Sequence, residues 1–103
     1  MKDNVYSKNQ YFEAVIQLRP YNEEVMRFIE NQVKKQDKVF ISRVEKLKTG
    51  VDIYISSQRF ARTLGQKLKR SFKGELKITK TLFGRDKLKS KDIYRGTVLF
   101  RLE

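Results

Sequence analysis

The sequence predicts an α+β domain whose elements follow one another in the order β-α-β-β-α-β-β. Two segments place apolar residues at helical spacing, and five others alternate apolar and polar residues as half-buried strands do. A chain of 103 residues, of which 39% are hydrophobic, is long enough to build one modest core. We therefore expect a flexible N-terminal segment over residues 1–10 and a single domain over residues 11–103.

A strand and a helix open the predicted domain. Residues 12–18 alternate apolar and polar side chains, and Pro20 ends this strand. Asn22 is a suitable N-cap for the helix that follows, and Glu23 and Glu24 lie in its first turn, where the helix dipole favours negative charge. The apolar stripe of this helix consists of Val25, Phe28, Ile29 and Val33.

A hairpin is expected next. Residues 39–47 and 51–55 have the composition of strands, and the turn Lys48-Thr49-Gly50 joins them. The alternation of the first strand is blurred around Ser42 and Arg43, which indicates a β-bulge there.

The second helix is strongly amphipathic. Ser56 or Ser57 can cap it, and Gly65 lies at the edge of its apolar side, where the missing side chain would let the helix approach the sheet. The apolar side itself consists of Phe60, Ala61, Leu64, Leu68 and Phe72.

The last two strands complete the predicted sheet. A fourth strand over residues 76–82 follows Gly74, and a fifth over residues 94–102 follows a polar loop over residues 84–90. This order favours a ferredoxin-like split β-α-β fold, with an antiparallel sheet of about five strands and both helices on one face. The last strand is expected to extend the sheet at one edge, as a hairpin with the fourth.

The sheet face opposite the helices is expected to be rather apolar. Tyr11, Val15 and Tyr54 should lie there, together with Phe83 or Leu99, and we predict that a partner covers them. RNA-recognition modules stack bases on the same face of a similar sheet, but their aromatic signature is missing from this sequence.

The positive charge of the chain is concentrated in its second half. Residues 1–55 hold ten basic and eight acidic side chains, a net charge of +2, whereas residues 56–103 hold fourteen and four, a net charge of +10. A soluble domain with so much positive charge in one half usually has a polyanionic partner, and nucleic acid is the commonest one.

Two groups of basic side chains are predicted to contact nucleic-acid phosphates. One lies on the polar side of the second helix, where acidic partners one turn away are missing, and the other lies on and beside the loop between the last two strands. Ordinary solvated surface is the competing interpretation of both groups. The predicted nucleic-acid-binding residues are Arg59, Arg62, Lys69, Arg70, Lys73, Lys80, Arg85, Lys87, Lys89, Lys91 and Arg95.

No catalytic residue, metal site or cofactor is predicted. The chain has no cysteine and no histidine, so thiolate ligands, the commonest metal ligand and the usual acid–base group are all missing. Asp86 and Asp92 lie in a basic loop, where they resemble solvated counter-charges more than a metal pair. No phosphate-binding loop or nucleophile motif is present, so we expect neither enzyme activity nor a small-molecule substrate.

Several segments taken together resemble a known family. They are YFEAVIQLR (residues 11–19), GVDIYISS (50–57), LFGRD (82–86), KDIYR (91–95) and TVLFRL (97–102). The chain resembles the central domain of the large-ribosomal-subunit export adaptor family, called nonsense-mediated mRNA decay protein three, over roughly residues 11–102. The resemblance is to the archaeal type, because the eukaryotic members have a histidine-containing stretch in place of residues 83–86.

The resemblance implies a role in ribosome biogenesis. Family members bind the joining face of the large ribosomal subunit during late maturation, so it implies rRNA and proteins of that subunit as partners. In the family, zinc ribbons precede this domain and a barrel region follows it. Neither lies in this sequence, which is either an excised domain or a reduced relative. The export signals of eukaryotic members lie in a tail that is also missing, so export activity is not expected here.

The sequence as a whole predicts a non-catalytic, cytoplasmic domain that docks on the large ribosomal subunit through rRNA phosphates in late maturation or quality control. We expect it to be a monomer on its own and to have no membrane partner, since no apolar run approaches the roughly 20 residues that span a bilayer. The alternative is a protein–protein interaction module that uses the open sheet face, with charge only steering association. A DNA reader is a weaker third interpretation.

Overall fold

The seven predicted elements are all present in the structure, a computed structural model. It describes residues 4–8, 10–86, 88 and 91–103, with only the backbone at residues 83, 85, 86 and 91–93. The elements are β1 (Ala14–Arg19), α1 (Glu23–Lys34), β2 (Ile41–Leu47), β3 (Gly50–Ile55), α2 (Gln58–Ser71), β4 (Gly74–Asp86) and β5 (Lys91–Leu102).

The sheet has the strand order β2-β3-β1-β5-β4 and is mixed. β1 pairs with β5 in parallel, from Ala14 opposite Gly96 to Arg19 opposite Arg101, while the other neighbouring pairs are antiparallel. The α+β class and the placement of both helices on one face are confirmed, because residues of both helices and all three central strands share one core. The expectation of a purely antiparallel sheet is wrong.

The position predicted for the last strand is also wrong. β5 does not extend the sheet at its edge but lies between β1 and β4. The physical reason is burial: Val98 and Phe100 of β5 are fully buried, whereas Leu76 and Ile78 of β4 are only partly so. The more apolar strand takes the inner position, and the strand with exposed lysines becomes the edge, where such residues discourage further pairing.

Side-chain oxygens cap both helices as predicted. Asn22 Oδ1 accepts the Val25 N–H at 3.0 Å, and Ser57 Oγ accepts the Phe60 N–H at 3.1 Å. α1 carries two glutamates in its first turn and α2 carries no acidic residue there. The carboxylate of Glu13, just before β1, takes that place at α2 and accepts the N–H of Gln58 at 2.9 Å.

Gly65 and Gly50 are two of the glycines on which the close approach of elements depends. A Cβ on Gly65 would lie 2.9 Å from Val98 Cγ1 and 3.1 Å from Leu76 Cδ1, so the expected close packing of α2 on the sheet is confirmed. A Cβ on Gly50 would lie 2.0 Å from the carbonyl oxygen of Leu18, so only glycine fits where β3 starts. The predicted bulge is confirmed by a register shift between Ile41 and Arg43.

The described part of the N-terminal segment lies beside β2. Tyr6 forms a parallel bridge with Ile41, whose N–H donates to the Val5 carbonyl at 2.8 Å. Val5 is buried, and the Tyr6 hydroxyl donates to Glu30 Oε2 at 2.8 Å. Residues 4–8, which belong to the segment predicted to be flexible, therefore cover part of the β2 edge.

β4 and β5 form a ribbon that runs past the rest of the sheet. β5 pairs with β1 only from Gly96 onwards, so among the described residues 81–86 and 91–95 pair with each other alone. The strands extend to Asp86 and begin again at Lys91, which makes the connection shorter than the loop predicted over residues 84–90.

Candidate nucleic-acid interface

Five of the predicted cations form one exposed surface on α2, which we call the basic face. Its helical members are spaced so that they point away from the buried positions of the helix. Residues 56–74 contain no aspartate or glutamate. The basic face consists of Arg59, Arg62, Lys69, Arg70 and the following Lys73, all exposed.

Ion pairs do not neutralise the basic face. Among the described side chains, ion pairs join Arg19 to Asp52, Arg27 to Glu23 and Arg43 to Glu45, and none reaches α2. Lys67 differs from its neighbours, because its Nζ donates to Gln32 Oε1 of α1 at 3.1 Å and it is half-buried. The basic face is therefore a concentration of uncompensated positive charge.

A cleft joins the basic face to β4. Its volume is about 300 Å³, and it is lined by Arg62, Ile78, Thr79, Lys80 and Gly96. The Lys80 ammonium lies 4.9 Å from the centroid of the Tyr94 ring, at the base of the ribbon. The structure thus brings Arg62 and Lys80, which belong to different predicted groups, to one site.

The other predicted loop residues are not all placed. Lys87 and Lys89 lie outside the described residues, and only the backbone of Arg85 and Lys91 is described, in β4 and β5. Arg95 lies on the opposite sheet face from Lys80, since its neighbour Gly96 is buried on the helix side opposite Lys80. The two residues that flank the predicted loop therefore lie on opposite faces of the sheet, because alternate residues of a strand face opposite ways.

Arg95 instead belongs to a series of arginine and aromatic side chains in contact on the open face, which we call the arginine–aromatic row. Arg43 Cζ lies 4.1 Å from the Tyr54 ring centroid, and the Tyr54 ring meets Phe12 edge-on at 4.9 Å. Arg95 Cζ lies 4.2 Å from the Phe12 centroid and 5.8 Å from that of Tyr11. The row therefore consists of Arg43, Tyr54, Phe12, Arg95 and Tyr11.

The residues predicted as a partner interface lie together: Tyr11 and Tyr54 belong to this row, and Val15 lies beside it. Val15 is opposite Tyr54 in the β1–β3 register, and Tyr11 is 51% exposed. Phe12 and Arg43 were missed: Phe12 precedes β1 and does not keep its alternation, and Arg43 follows the bulge. The bulge was the available signal for Arg43, because an extra residue changes which side chains face the helices.

The open face is less apolar than expected. Arg19 Nη2 lies 2.6 Å from Asp52 Oδ1, and Arg19 Nη1 donates to the carbonyl oxygens of Leu18 and Val51 at 3.1 and 3.0 Å. Both side chains are less than one-fifth exposed. This pair holds β1 and β3 together on the open face.

Glu13 connects the arginine–aromatic row to the start of α2. One carboxylate oxygen accepts the Gln58 N–H, and the other accepts the hydroxyl of Tyr11. This hydrogen bond, assisted by burial, raises the pKa of the Tyr11 phenol. The Tyr11 hydroxyl is therefore held as a donor towards Glu13.

A comparison with protein-family models identifies the family. The model described as NMD3, second domain, matches residues 11–102. The chain belongs to the NMD3 family. This match confirms the family resemblance seen in the sequence. A search of curated proteins found no match.

Membership of the NMD3 family relates this domain to ribosomal subunits. The family has a ribosome-related export-adaptor role and associates with ribosomal subunits. Within the described residues of this NMD3 domain, no group of three or more acidic, histidine or cysteine side chains could hold a metal ion. In the described part of the chain, neither helix is both long and apolar enough to cross a membrane.

Proposed function

We propose that this NMD3-family domain is a non-catalytic module that docks on the large ribosomal subunit through rRNA phosphates, in late maturation or quality control of the subunit. The observation that carries the proposal is the basic face of α2, with no acidic residue anywhere in residues 56–74. Its partners would be rRNA and proteins of the large subunit. The domain would bind them in the cytoplasm as a monomer.

The energetics of the basic face favour a polyanionic ligand. Like charges one turn apart on a helix repel each other and destabilise it by a few tenths of a kcal/mol per pair. Binding to RNA removes this cost and releases counterions from the phosphates, which makes the affinity depend steeply on salt. Lys69 and Arg70 lie in the last turn, where they also stabilise the helix dipole, but Arg59 lies in the first turn and has no such role.

Sedimentation with purified large subunits over a range of salt concentrations tests the proposal. A variant with Arg59, Arg62, Lys69 and Arg70 changed to glutamine should bind more weakly, and its log K against log salt slope should fall by about 0.7–0.9 per lost contact. The matched control changes four exposed lysines elsewhere, Lys35, Lys38, Lys46 and Lys48, by the same total charge. Equal loss of binding in both variants would show that net charge alone acts.

The arginine–aromatic row favours a second candidate function, a protein–protein interaction module. Tyrosine and arginine are enriched in the centres of protein interfaces, and Tyr11 is 51% exposed. The affinity of an interface on this face should change little between low and moderate salt. Tyr11→Ala should then weaken particle binding while leaving the salt slope unchanged. An RNA-binding basic face predicts instead that the α2 variant lowers both the affinity and the salt slope.

A further inference from the structure

The cleft between α2 and β4 has charged walls on opposite sides. Arg62 comes from the helix and Lys80 from the strand, and none of the five lining residues is acidic. At about 300 Å³ the cleft is at the lower end of the volumes found for ligand sites. An anion in it would meet positive charge from two elements.

Both cations keep the capacity to bind a ligand. Arg62 Nη1 lies 3.4 Å from Gln58 Oε1, a long contact that leaves most of its five N–H donors for other partners. Lys80 is held over the Tyr94 ring at 4.9 Å, which orients the ammonium without neutralising it, as a carboxylate would. The cleft is therefore built for negative charge rather than already satisfied internally.

The floor of the cleft has space that the fold does not require. A Cβ on Gly96 would lie no closer than 3.8 Å to any neighbour, in ordinary contact with Gln58, Ala14 and Thr79. In this respect Gly96 differs from Gly50 and Gly65, where a Cβ would clash. Glycine inside a strand costs stability and often marks the close approach of a ligand. The open floor, shared with Ile78, has room for an uncharged group beside the anion.

We propose that this cleft binds one nucleotide of an unpaired RNA segment, with its phosphate between Arg62 and Lys80 and its ribose against Gly96 and Ile78. The proposal rests on the proposed function, because it names the part of the RNA that one end of the basic face contacts. A phosphate joined to a compact sugar matches cations at the rim and a mostly uncharged floor. Unpaired nucleotides are also the parts of RNA most accessible to protein side chains.

An NMR titration of the full chain tests the proposal. The probes are a ten-nucleotide oligouridylate, inorganic phosphate, and a ten-residue oligoglutamate that carries charge without phosphate. The variants are Arg62→Gln, Lys80→Gln and Gly96→Ala, and the matched control is Arg59→Gln, one helical turn from Arg62 and outside the lining of the cleft. Thermal unfolding checks that each variant folds.

The expected results distinguish the effect of charge on binding from the effect of the shape of the cleft. Arg62→Gln and Lys80→Gln should each weaken oligouridylate binding about tenfold, more than Arg59→Gln does. Gly96→Ala should weaken it roughly fivefold through crowding of the floor, with an unchanged salt slope because no charge is removed. In the wild type, the amides of Gly96 and Lys80 should be among those that shift most, which tests the site even if a variant fails to fold.

Three outcomes would overturn the proposed nucleotide site while leaving the proposed function of the domain standing. They are equal effects of Arg62→Gln and Arg59→Gln, wild-type affinity of Gly96→Ala, and unchanged Gly96 and Lys80 amides on saturation with oligouridylate. Binding of inorganic phosphate or oligoglutamate as tight as that of oligouridylate would also overturn it, because the cleft would then be a general anion site. Failure of the wild type to bind large subunits at low salt would instead overturn the proposed function itself.

Discussion

The carboxylate of Glu13 accepts the backbone N–H of Gln58 at 2.9 Å, across a sequence separation of 45 residues. α2 has no acidic side chain in its first turn, so a residue from the β1 side supplies the negative charge that the helix dipole favours there. The same carboxylate binds the Tyr11 hydroxyl. The start of the basic helix and the edge of the open face are thereby fixed to each other.

Removing this charge should destabilise the domain modestly. Glu13→Gln keeps an acceptor but loses the charge at the helix N-terminus, so we expect a loss of about 0.3–1 kcal/mol, and Glu13→Ala should cost about 1–2 kcal/mol. Urea denaturation measures both. Glu75→Gln, at an exposed position of β4, is the control and should change little; an equal loss there would contradict the capping role.

The Arg19–Asp52 pair should matter more than the exposed ion pairs. Asp52→Asn leaves a mostly buried guanidinium without its counter-charge, so we expect a loss of about 1–3 kcal/mol in the free energy of unfolding. Arg27→Gln breaks the exposed pair with Glu23 and should cost no more than about 0.5 kcal/mol. Similar losses in the two variants would argue against a structural role for Arg19–Asp52.

Replacement by alanine should affect stability differently at two glycine positions. Gly50→Ala places a Cβ 2.0 Å from the Leu18 carbonyl oxygen, at a backbone φ of 155°, and should cost at least about 2 kcal/mol. Gly96→Ala makes only ordinary contacts and should leave stability unchanged or raise it by up to about 1 kcal/mol. Melting temperatures of the two variants give the comparison, and a destabilised Gly96→Ala would contradict the open floor of the cleft.

High pH should loosen the N-terminal segment. Burial, together with the hydrogen bond to Glu30, raises the pKa of Tyr6 from 10.0 to about 12. The folded state therefore holds this proton more tightly than the unfolded state. The stabilisation is complete below pH 10 and is lost as the pH rises towards about 12. Unfolding free energies between pH 9 and pH 12 should fall less steeply in Tyr6→Phe; identical slopes would exclude Tyr6 as the titrating group.

Local sequence signals predicted the features that depend on neighbouring residues. The element order, the caps Asn22 and Ser57, the bulge near Arg43 and the close packing at Gly65 all follow from spacing and residue type. The basic face was predicted for the same reason, because a helix fixes which of its own residues point outwards. What these side chains bind stays a prediction.

Features that depend on strand order were not predictable in the same way. Nothing local places β5 between β1 and β4, since that choice depends on which of the last two strands packs better beside β1, which is distant in the sequence. Lys80 and Arg95 were grouped because both flank the same loop, yet strand pairing puts them on opposite faces. The meeting of Arg62 with Lys80 and of Arg19 with Asp52 likewise requires the tertiary register.

The inner position of β5 has a consequence for how the domain acquires its structure. Val98 and Phe100 complete the core that β1 begins, more than 80 residues earlier in the chain. Until residues near 100 are available, Ile16 and Leu18 have no neighbour on that side. During synthesis, a nascent chain released from the exit tunnel up to α2 would still lack β5, the inner strand that pairs with β1. Its folding should therefore wait for the C-terminal end and proceed slowly, as chains dominated by distant contacts do.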